Sequence, residues 1–251
     1  GPTGSLNGGG LSFDIGSDEF DGIPDNLCVA PVNQATNMVL ISSSTSISAS
    51  FTHSISELSG YLVLATIYDT LTELPLNAKE YKKNDSIGNA IVVLNSDKDT
   101  FSISGLSDGT KYTFFVYGYN SFGCQAGPVY NTTNPLTKSA YTLPNAPTIF
   151  TASTFNSSQI NLNWSRANSN KVIIAYNTSD AFGSPEGEYI VGDTIIGGGI
   201  LIYAGADTNY SHTGLSGNTK YYYKVWAVLN DTIYSTGTLK NATTLCNPIE
   251  L

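Results

Sequence analysis

Apolar and polar residues alternate with period two along five stretches: "SISASF" (46–51), "YLVLATIY" (61–68), "TFSISGL" (100–106), "QINLNW" (159–164) and "KVIIAY" (171–176). Successive side chains of a strand point to opposite faces, so alternation marks strands that bury one side. Clusters of Gly, Asn, Asp and Ser separate them about every 8–12 residues, the spacing of a sandwich or barrel. The one helical candidate is "ELPLNAKEYKK" (73–83), and Pro75 within it argues against a helix. The pattern predicts an all-β chain.

The pattern also repeats. "GLSDGTKYTFFVYG" (105–118) returns as "GLSGNTKYYYKVWA" (214–227), 109 positions later. Glu80-Tyr81 with Asp85-Ser86-Ile87 matches Glu188-Tyr189 with Asp193-Thr194-Ile195 at a separation of 108. Phe51 in "SASFTHS" corresponds to Trp164 in "NLNWSRA", each ending an alternating strand. A repeat of this length is a structural unit. Between the copies lies "YTLPNAPT" (141–148), whose prolines lack N–H donors and stiffen an extended linker. These features predict a first module over 26–143 and a second over 144–246. "TTLCNP" (243–248) resembles that linker, so 247–251 reads as the start of a linker to a third module. The opening "GPTGSLNGGG" reads as a tag remnant with flexible linker, and 1–25 as a lead carrying the remnant of an upstream domain.

The repeated strand-B aromatics and the pattern Leu-x-x-x-Thr-x-Tyr carry a resemblance to tandem fibronectin type III domains, in the divergent form of bacterial surface and secreted proteins, particularly of Bacteroidetes. That pattern reads Leu106, Thr110, Tyr112 and then Leu215, Thr219, Tyr221. It resembles the tyrosine corner, in which a phenol at the start of strand F hydrogen-bonds back to the E–F turn. The resemblance implies two immunoglobulin-like β-sandwiches in tandem. Phe51 departs from the usual Trp, and the long region 177–210 implies an extra hairpin around "GDTIIGGGILIYAG".

Alternation counted from the corner points Tyr221, Tyr223, Val225 and Ala227 inward and Tyr222, Lys224, Trp226 and Val228 outward. In the first module Tyr112, Phe114, Val116 and Gly118 point in, and Phe115, Tyr117 and Tyr119 out. Phe115, Tyr117, Tyr222 and Trp226 are therefore the candidates for stacking on a sugar ring. The competing expectation is that the extra hairpin or a neighbouring module covers them, because exposed aromatic ladders cost solubility unless used.

Charge narrows the partners. Charged residues make up 12% of the 251, with 11 Lys+Arg against 20 Asp+Glu and a formal charge of −9. Such a surface repels phosphate backbones and anionic membranes, which argues against nucleic acid. No run of eighteen apolar residues predicts a bilayer span. Ser, Thr, Asn and Gly then supply most polar surface, a composition common in secreted adhesive or wall-degrading proteins.

The three cysteines are Cys28, Cys124 and Cys246. Bacterial type III modules with a similar Cys-x-x-Pro…Cys arrangement carry a bridge, so the resemblance implies a Cys28–Cys124 disulfide between the opening of strand A and the loop after strand F. Cys246 would belong to the third module. Three reduced, buried thiols are the alternative.

The lead "LSFDIGSDEFDG" (11–22) resembles the closing motif of parallel β-helix domains in bacterial surface proteins. A second reading takes Glu19, Asp21 and Asp25 as oxygen donors to calcium, although Ser17 breaks the acidic ladder that a true calcium repeat shows; a third is a solvated acidic linker. His53 and His212, each near a strand end, are expected on the surface or in turns, and no metalloprotease or nucleophile-elbow motif surrounds them. The run 197–199, "GGG", reads as a hairpin turn. Glu186 and Glu188 imitate a glycosidase pair without a cleft in the sequence. Nothing predicts an enzyme or an obligatory cofactor. Four Asp-(Ser/Thr)-aliphatic triplets resemble an O-glycosylation signal of Bacteroidetes exported proteins and mark Thr70, Ser86, Thr194 and Thr232. N-x-(S/T) sequons occur at Asn131, Asn177 and Asn241.

The expected role is a monomeric, non-catalytic spacer and adhesion pair in a secreted or cell-surface bacterial protein, with neighbouring modules of the same chain as its partners. Carbohydrate binding to a polysaccharide or surface glycan through the four outward aromatics is the alternative. A further one is assistance to an upstream polysaccharide-active enzyme.

Overall fold

The computed structural model describes residues 26–166 and 171–247, and all regular structure in them is β. The first nine strands are β1 (Thr36–Ser42), β2 (Ser46–Thr52), β3 (Gly60–Thr66), β4 (Ser86–Ile87), β5 (Ala90–Ser96), β6 (Thr100–Ser104), β7 (Lys111–Asn120), β8 (Val129–Tyr130) and β9 (Leu136–Tyr141). The remaining eight are β10 (Phe150–Thr154), β11 (Gln159–Trp164), β12 (Lys171–Asn177), β13 (Ile200–Gly205), β14 (Asn209–Thr213), β15 (Lys220–Leu229), β16 (Ile233–Tyr234) and β17 (Thr238–Thr243). The stretch 73–83 is irregular and turn-rich, as Pro75 requires.

Strands β1–β9 form one pair of sheets, ordered β1-β2-β6 and β4-β5-β3-β7-β8, with β9 also on β7. Strands β10–β17 repeat the scheme as β10-β11-β14 and β13-β12-β15-β16, with β17 on β15. Among the described residues, no strand of the first pair joins a sheet of the second. The chain divides into two compact units, and Phe150–Thr243 lies wholly inside one of them. Both repeats carry a register shift in the same strand pair, at Val63/Leu64 and at Ile174/Ala175. The extra residue falls on the partner strand each time, Val93 of β5 and Ile202 of β13.

The two sheets of the second repeat close on a core that takes Phe150 from β10, Ile160, Leu162 and Trp164 from β11, and Val172, Ile174, Tyr223 and Val225 from β12 and β15. In the first repeat, Phe51 of β2 meets Tyr61 of β3 edge-on at 4.9 Å, and Phe101 of β6 meets Phe114 of β7 at 5.2 Å. Apolar area removed from water at about 25 cal/mol per Å² is the main source of cohesion here.

Both tyrosine corners form. The Ser107 N–H donates to the Tyr112 phenol oxygen at 3.1 Å, and the Ser216 N–H to that of Tyr221 at 3.0 Å. A threonine that the motif does not include completes each corner. Thr142 Oγ1 donates to the Ser107 carbonyl and Thr244 Oγ1 to the Ser216 carbonyl, each at 2.6 Å.

The strand alternation is only half informative. Every residue of β3 is buried, and so is the run Thr113–Gly118 of β7. A strand covered on one face would alternate; a continuous run means that both faces are covered.

Candidate functional site

The outer face of the sheet that holds β7 in the first repeat and β15 in the second, where the sequence places its candidate ligand aromatics, is a second core in both repeats. In the first, Phe115 and Tyr117 pack with Leu62, Leu64 and Val92 of the sheet and with Tyr81 and Ile87 from the segment between β3 and β5. In the second, Trp226 and Val228 pack with Ile173, Ala175 and Leu201 and with Ile195, Phe182 and Tyr189 from the segment between β12 and β13. The covering segment is thus built from the chain's own connection twice, β3 to β5 in the first repeat and β12 to β13 in the second.

Equivalent tyrosines and aspartates hold each cover. Tyr81 accepts a hydrogen bond from Leu76 N–H at 3.0 Å, and Tyr189 from Glu186 N–H at 3.4 Å. Asp85 accepts from Lys82 N–H at 2.7 Å and Asp193 from Ile190 N–H at 2.9 Å, tying the same turn in each copy. Tyr130 donates to the Lys79 carbonyl at 3.0 Å and Tyr234 to that of Gly187 at 2.6 Å. The rings of Tyr81 and Tyr130 lie 6.0 Å apart, and those of Tyr189 and Tyr234 6.4 Å. Burial pushes the Tyr117 phenol up to about 12 and raises that of Tyr130. Both phenols therefore stay neutral at physiological pH.

Of the two expectations for these four aromatics, cover by the chain's own segment is what Phe115, Tyr117 and Trp226 meet, and a stacking platform does not form. Tyr117 is 0% exposed, Trp226 2% and Phe115 8%. A sugar ring needs an open aromatic face, and these have none. Tyr222 alone is half-buried, and the Lys220 ammonium sits 4.9 Å from its ring centroid. The cover over Trp226 also explains the glycine run. Gly197, Gly198 and Gly199 all adopt positive φ in the turn between Thr194 and Ile200, which pair as an isolated bridge. A Cβ on Gly199 would fall 2.7 Å from the Phe182 ring.

His212 is a second correction. It lies in the core rather than on the surface or in a turn, with Nδ1 3.1 Å from the Tyr223 hydroxyl and its ring 4.6 Å from that of Tyr176. Desolvation lowers its pKa. His53 is exposed, 3.6 Å from the Asp99 carboxylate.

Cys28 and Cys124 form a disulfide with Cα atoms 4.9 Å apart. Cys28 lies ahead of the first strand instead of opening it. It is held by its N–H to the Gln125 carbonyl at 2.8 Å, while Gln125 N–H donates to the Asn26 carbonyl at 2.9 Å. Cys246 is free and exposed. Glu19, Asp21 and Asp25 lie outside the described residues. Among the described residues, no group of three or more His, Cys, Asp or Glu converges. Glu186 and Glu188 are both exposed and border different cavities, of about 620 and 200 Å³. A groove of about 720 Å³ is bordered by Asn33, Gln34, Asn131 and His53. Its amides are engaged internally: Gln34 donates to the Asn131 and Thr133 carbonyls and accepts from Gly118 N–H.

The triplet residues Thr70, Ser86, Thr194 and Thr232 are all exposed. In the two repeat-equivalent triplets the aliphatic neighbours, Ile87 and Ile195, are buried in the cover.

No family model matches the sequence, and no curated protein matches it. Solved structures do. A two-domain fibronectin type III segment from chicken tenascin aligns with 84% of this chain and 100% of its own, at 14% identity and a TM-score of 0.46. A crystal structure of FN3tt covers 42% of this chain and 99% of its own, at 21% identity and a TM-score of 0.33. The central fibronectin III array of RIM-binding protein covers 92% of this chain and 72% of its own, at 12% identity and a TM-score of 0.29. The chain's own strand order, twice repeated, makes it an all-β protein of two immunoglobulin-like sandwiches in tandem.

Proposed function

We propose that the chain is a non-catalytic pair of fibronectin type III-like modules, 26–143 and 144–246, that acts as a spacer and adhesion segment of an exported protein. The observation that carries this reading is the doubled cover. Each repeat uses its own chain to close the sheet face that would otherwise receive a flat ligand, with Tyr81 and Ile87 in one copy and Tyr189 and Ile195 in the other. Two modules that share this device, with no convergence of three or more His, Cys, Asp or Glu among the described residues, suit holding other domains apart better than chemistry. The bridge of Cys28 to Cys124 supports an oxidising compartment. Exposed hydroxyls at all four Asp-(Ser/Thr)-aliphatic triplets support glycan attachment at Thr70, Ser86, Thr194 and Thr232. Calcium at Glu19, Asp21 and Asp25 stays part of the proposal as a separate, upstream feature.

A glycan array tests the spacer reading. The intact chain is expected to retain no glycan; retention that disappears in Tyr222→Ala would establish a lectin and overturn it. Intact-mass measurement on protein from its natural source reads the modification directly, with hexose-sized increments expected and an unmodified mass excluding it.

A further inference from the structure

The disulfide joins two points that bracket almost the entire first sandwich. Strands β1 to β7, Thr36 to Asn120, all lie between Cys28 and Cys124, a separation of 96 residues. Of the strands of the first sandwich, β8 and β9 alone follow the bridge. Tension carried along a polypeptide takes the shortest covalent route. A pull entering ahead of Cys28 and leaving toward the second sandwich therefore crosses the sulfur–sulfur bond and leaves at Cys124. Once β8 and β9 have peeled away from β7, the backbone in the loop between the cysteines bears none of it.

The crossing point is reinforced by backbone on both sides. Leu27 and Gln125 form a parallel bridge, with the Cys28 and Gln125 N–H groups bonded to the opposite chain at 2.8 and 2.9 Å. Gly127 lies against the same junction, where an added Cβ would come within 2.7 Å of Cys28 Sγ.

The second sandwich has no such bypass. Its first and last strands are β10 and β17, and they are tied by side-chain and turn contacts, such as Thr154 Oγ1 to the Thr243 carbonyl at 2.6 Å and Leu245 N–H to the Asn156 carbonyl at 3.2 Å. Every residue from Phe150 to Thr243 is in the line of tension.

We infer that the pair is mechanically asymmetric: the first sandwich is a force-shielded link of nearly fixed length, and the second is the extensible element. This rests on the spacer reading, since only a load-bearing segment uses the difference. A residue in an extended chain spans about 3.5 Å, so full extension of the second sandwich releases about 330 Å of contour. The oxidised first sandwich can release only the stretch from Cys124 to Tyr141, about 60 Å, and its reduced form adds about 340 Å. The bridge opens when a dithiol such as dithiothreitol supplies two electrons and two protons, leaving two cysteine thiols and closing to its own cyclic disulfide. Both cysteines are partly exposed, so the reagent reaches them.

Single-molecule pulling of the full chain, with handles ahead of residue 26 and after residue 251, tests this. The oxidised chain is expected to show one long increment of about 330 Å, and the same chain after dithiothreitol that increment and a second of about 400 Å. The double variant Cys28→Ser/Cys124→Ser should show two without reductant; if it does not fold, reduction of the natural chain in the pulling cell gives the same readout. Two long increments from the oxidised chain, or one that persists after reduction, overturn the proposal. The load at which the second sandwich yields reads the spacer function separately. Extension at negligible load contradicts a spacer and leaves the increment count, and hence the shielding, standing.

Discussion

The Tyr234 hydroxyl donates to the Gly187 carbonyl at 2.6 Å, so a residue just after strand F fastens the segment that covers that strand's own aromatic, Trp226. The cover is consequently part of the second repeat's fold, with its own latch. Tyr234→Phe keeps the ring and removes the latch. A hydrogen bond of this kind contributes about 0.5–1.5 kcal/mol net, so the loss of global stability is expected to be of that size. Amide hydrogen exchange should rise over 186–199 and not over β11 or β14. Tyr189→Ala goes further, leaving a cavity beside Tyr234, and is expected to cost about 1–3 kcal/mol because the ring is half-buried, with new binding of a hydrophobic dye. Equal exchange rates in both halves of the module would mean that the cover does not open by itself.

His212 makes the second sandwich sensitive to acid. It faces Tyr223 through Nδ1 and the rings of Tyr176, Tyr210 and Tyr221, and burial lowers its pKa below the ordinary 6.5. The unfolded chain therefore takes up the proton first. Stability from the neutral imidazole is complete above about pH 6.5 and declines as the pH falls from there toward the lowered native value. Denaturant midpoints between pH 7.5 and 5 should drop for the natural chain, with a smaller slope in His212→Phe. Parallel curves would show that other groups set the pH response.

Part of this architecture is legible in the sequence and part is not, for reasons that particular residues make plain. Period-two alternation locates β2, β6 and β11 because one face of each sheet there meets solvent. It misjudges Tyr117 and Trp226 because β7 and β15 lie between two apolar layers, and alternation cannot say what covers an outward residue. The sign of a cover is present, since Glu80-Tyr81 and Asp85-Ser86-Ile87 recur at a constant interval of 108 outside any clear strand. Conserving a loop's sequence across two repeats implies that the loop makes specific contacts. Thr142 and Thr244 are equally hidden, because the corner motif ends at the tyrosine and their hydroxyls reach it from β-strand exits 30 and 23 residues later. His212 misleads because a lone histidine is usually near water, and only its cross-strand partner Ile160 reveals that its position points inward.

Those threonines carry more than the phenols they assist. Thr244 Oγ1 accepts from Thr219 N–H at 3.0 Å and donates to the Ser216 carbonyl at 2.6 Å, and the residue is buried. Thr244→Val retains the shape and leaves both backbone groups without that partner, at an expected loss of about 1–3 kcal/mol. Tyr221→Phe releases only Ser216 N–H, which is near the surface, and should cost about 1 kcal/mol. Urea unfolding of the two variants checks the order; a larger loss for Tyr221→Phe would place the corner's strength in the phenol.

Two glycines of the same cover separate backbone strain from packing. Gly187 has φ +75° and open space where a side chain would project, whereas Gly199 has φ +97° with the Phe182 ring 2.7 Å and the Ala175 Cβ 3.3 Å from an added Cβ. Alanine at either position meets the left-handed penalty of about 1–2 kcal/mol. Gly199→Ala must in addition displace Phe182, whose ring stands edge-on to Trp226 at 6.3 Å, and overpacking of that kind adds about 1–3 kcal/mol. Displacing Phe182 also uncovers indole, so the fluorescence of Trp226 should shift to the red in Gly199→Ala and stay put in Gly187→Ala. Equal destabilisation and unchanged emission in both variants would show that the ring can move without loosening the cover, and that the triple glycine is there for its turn alone.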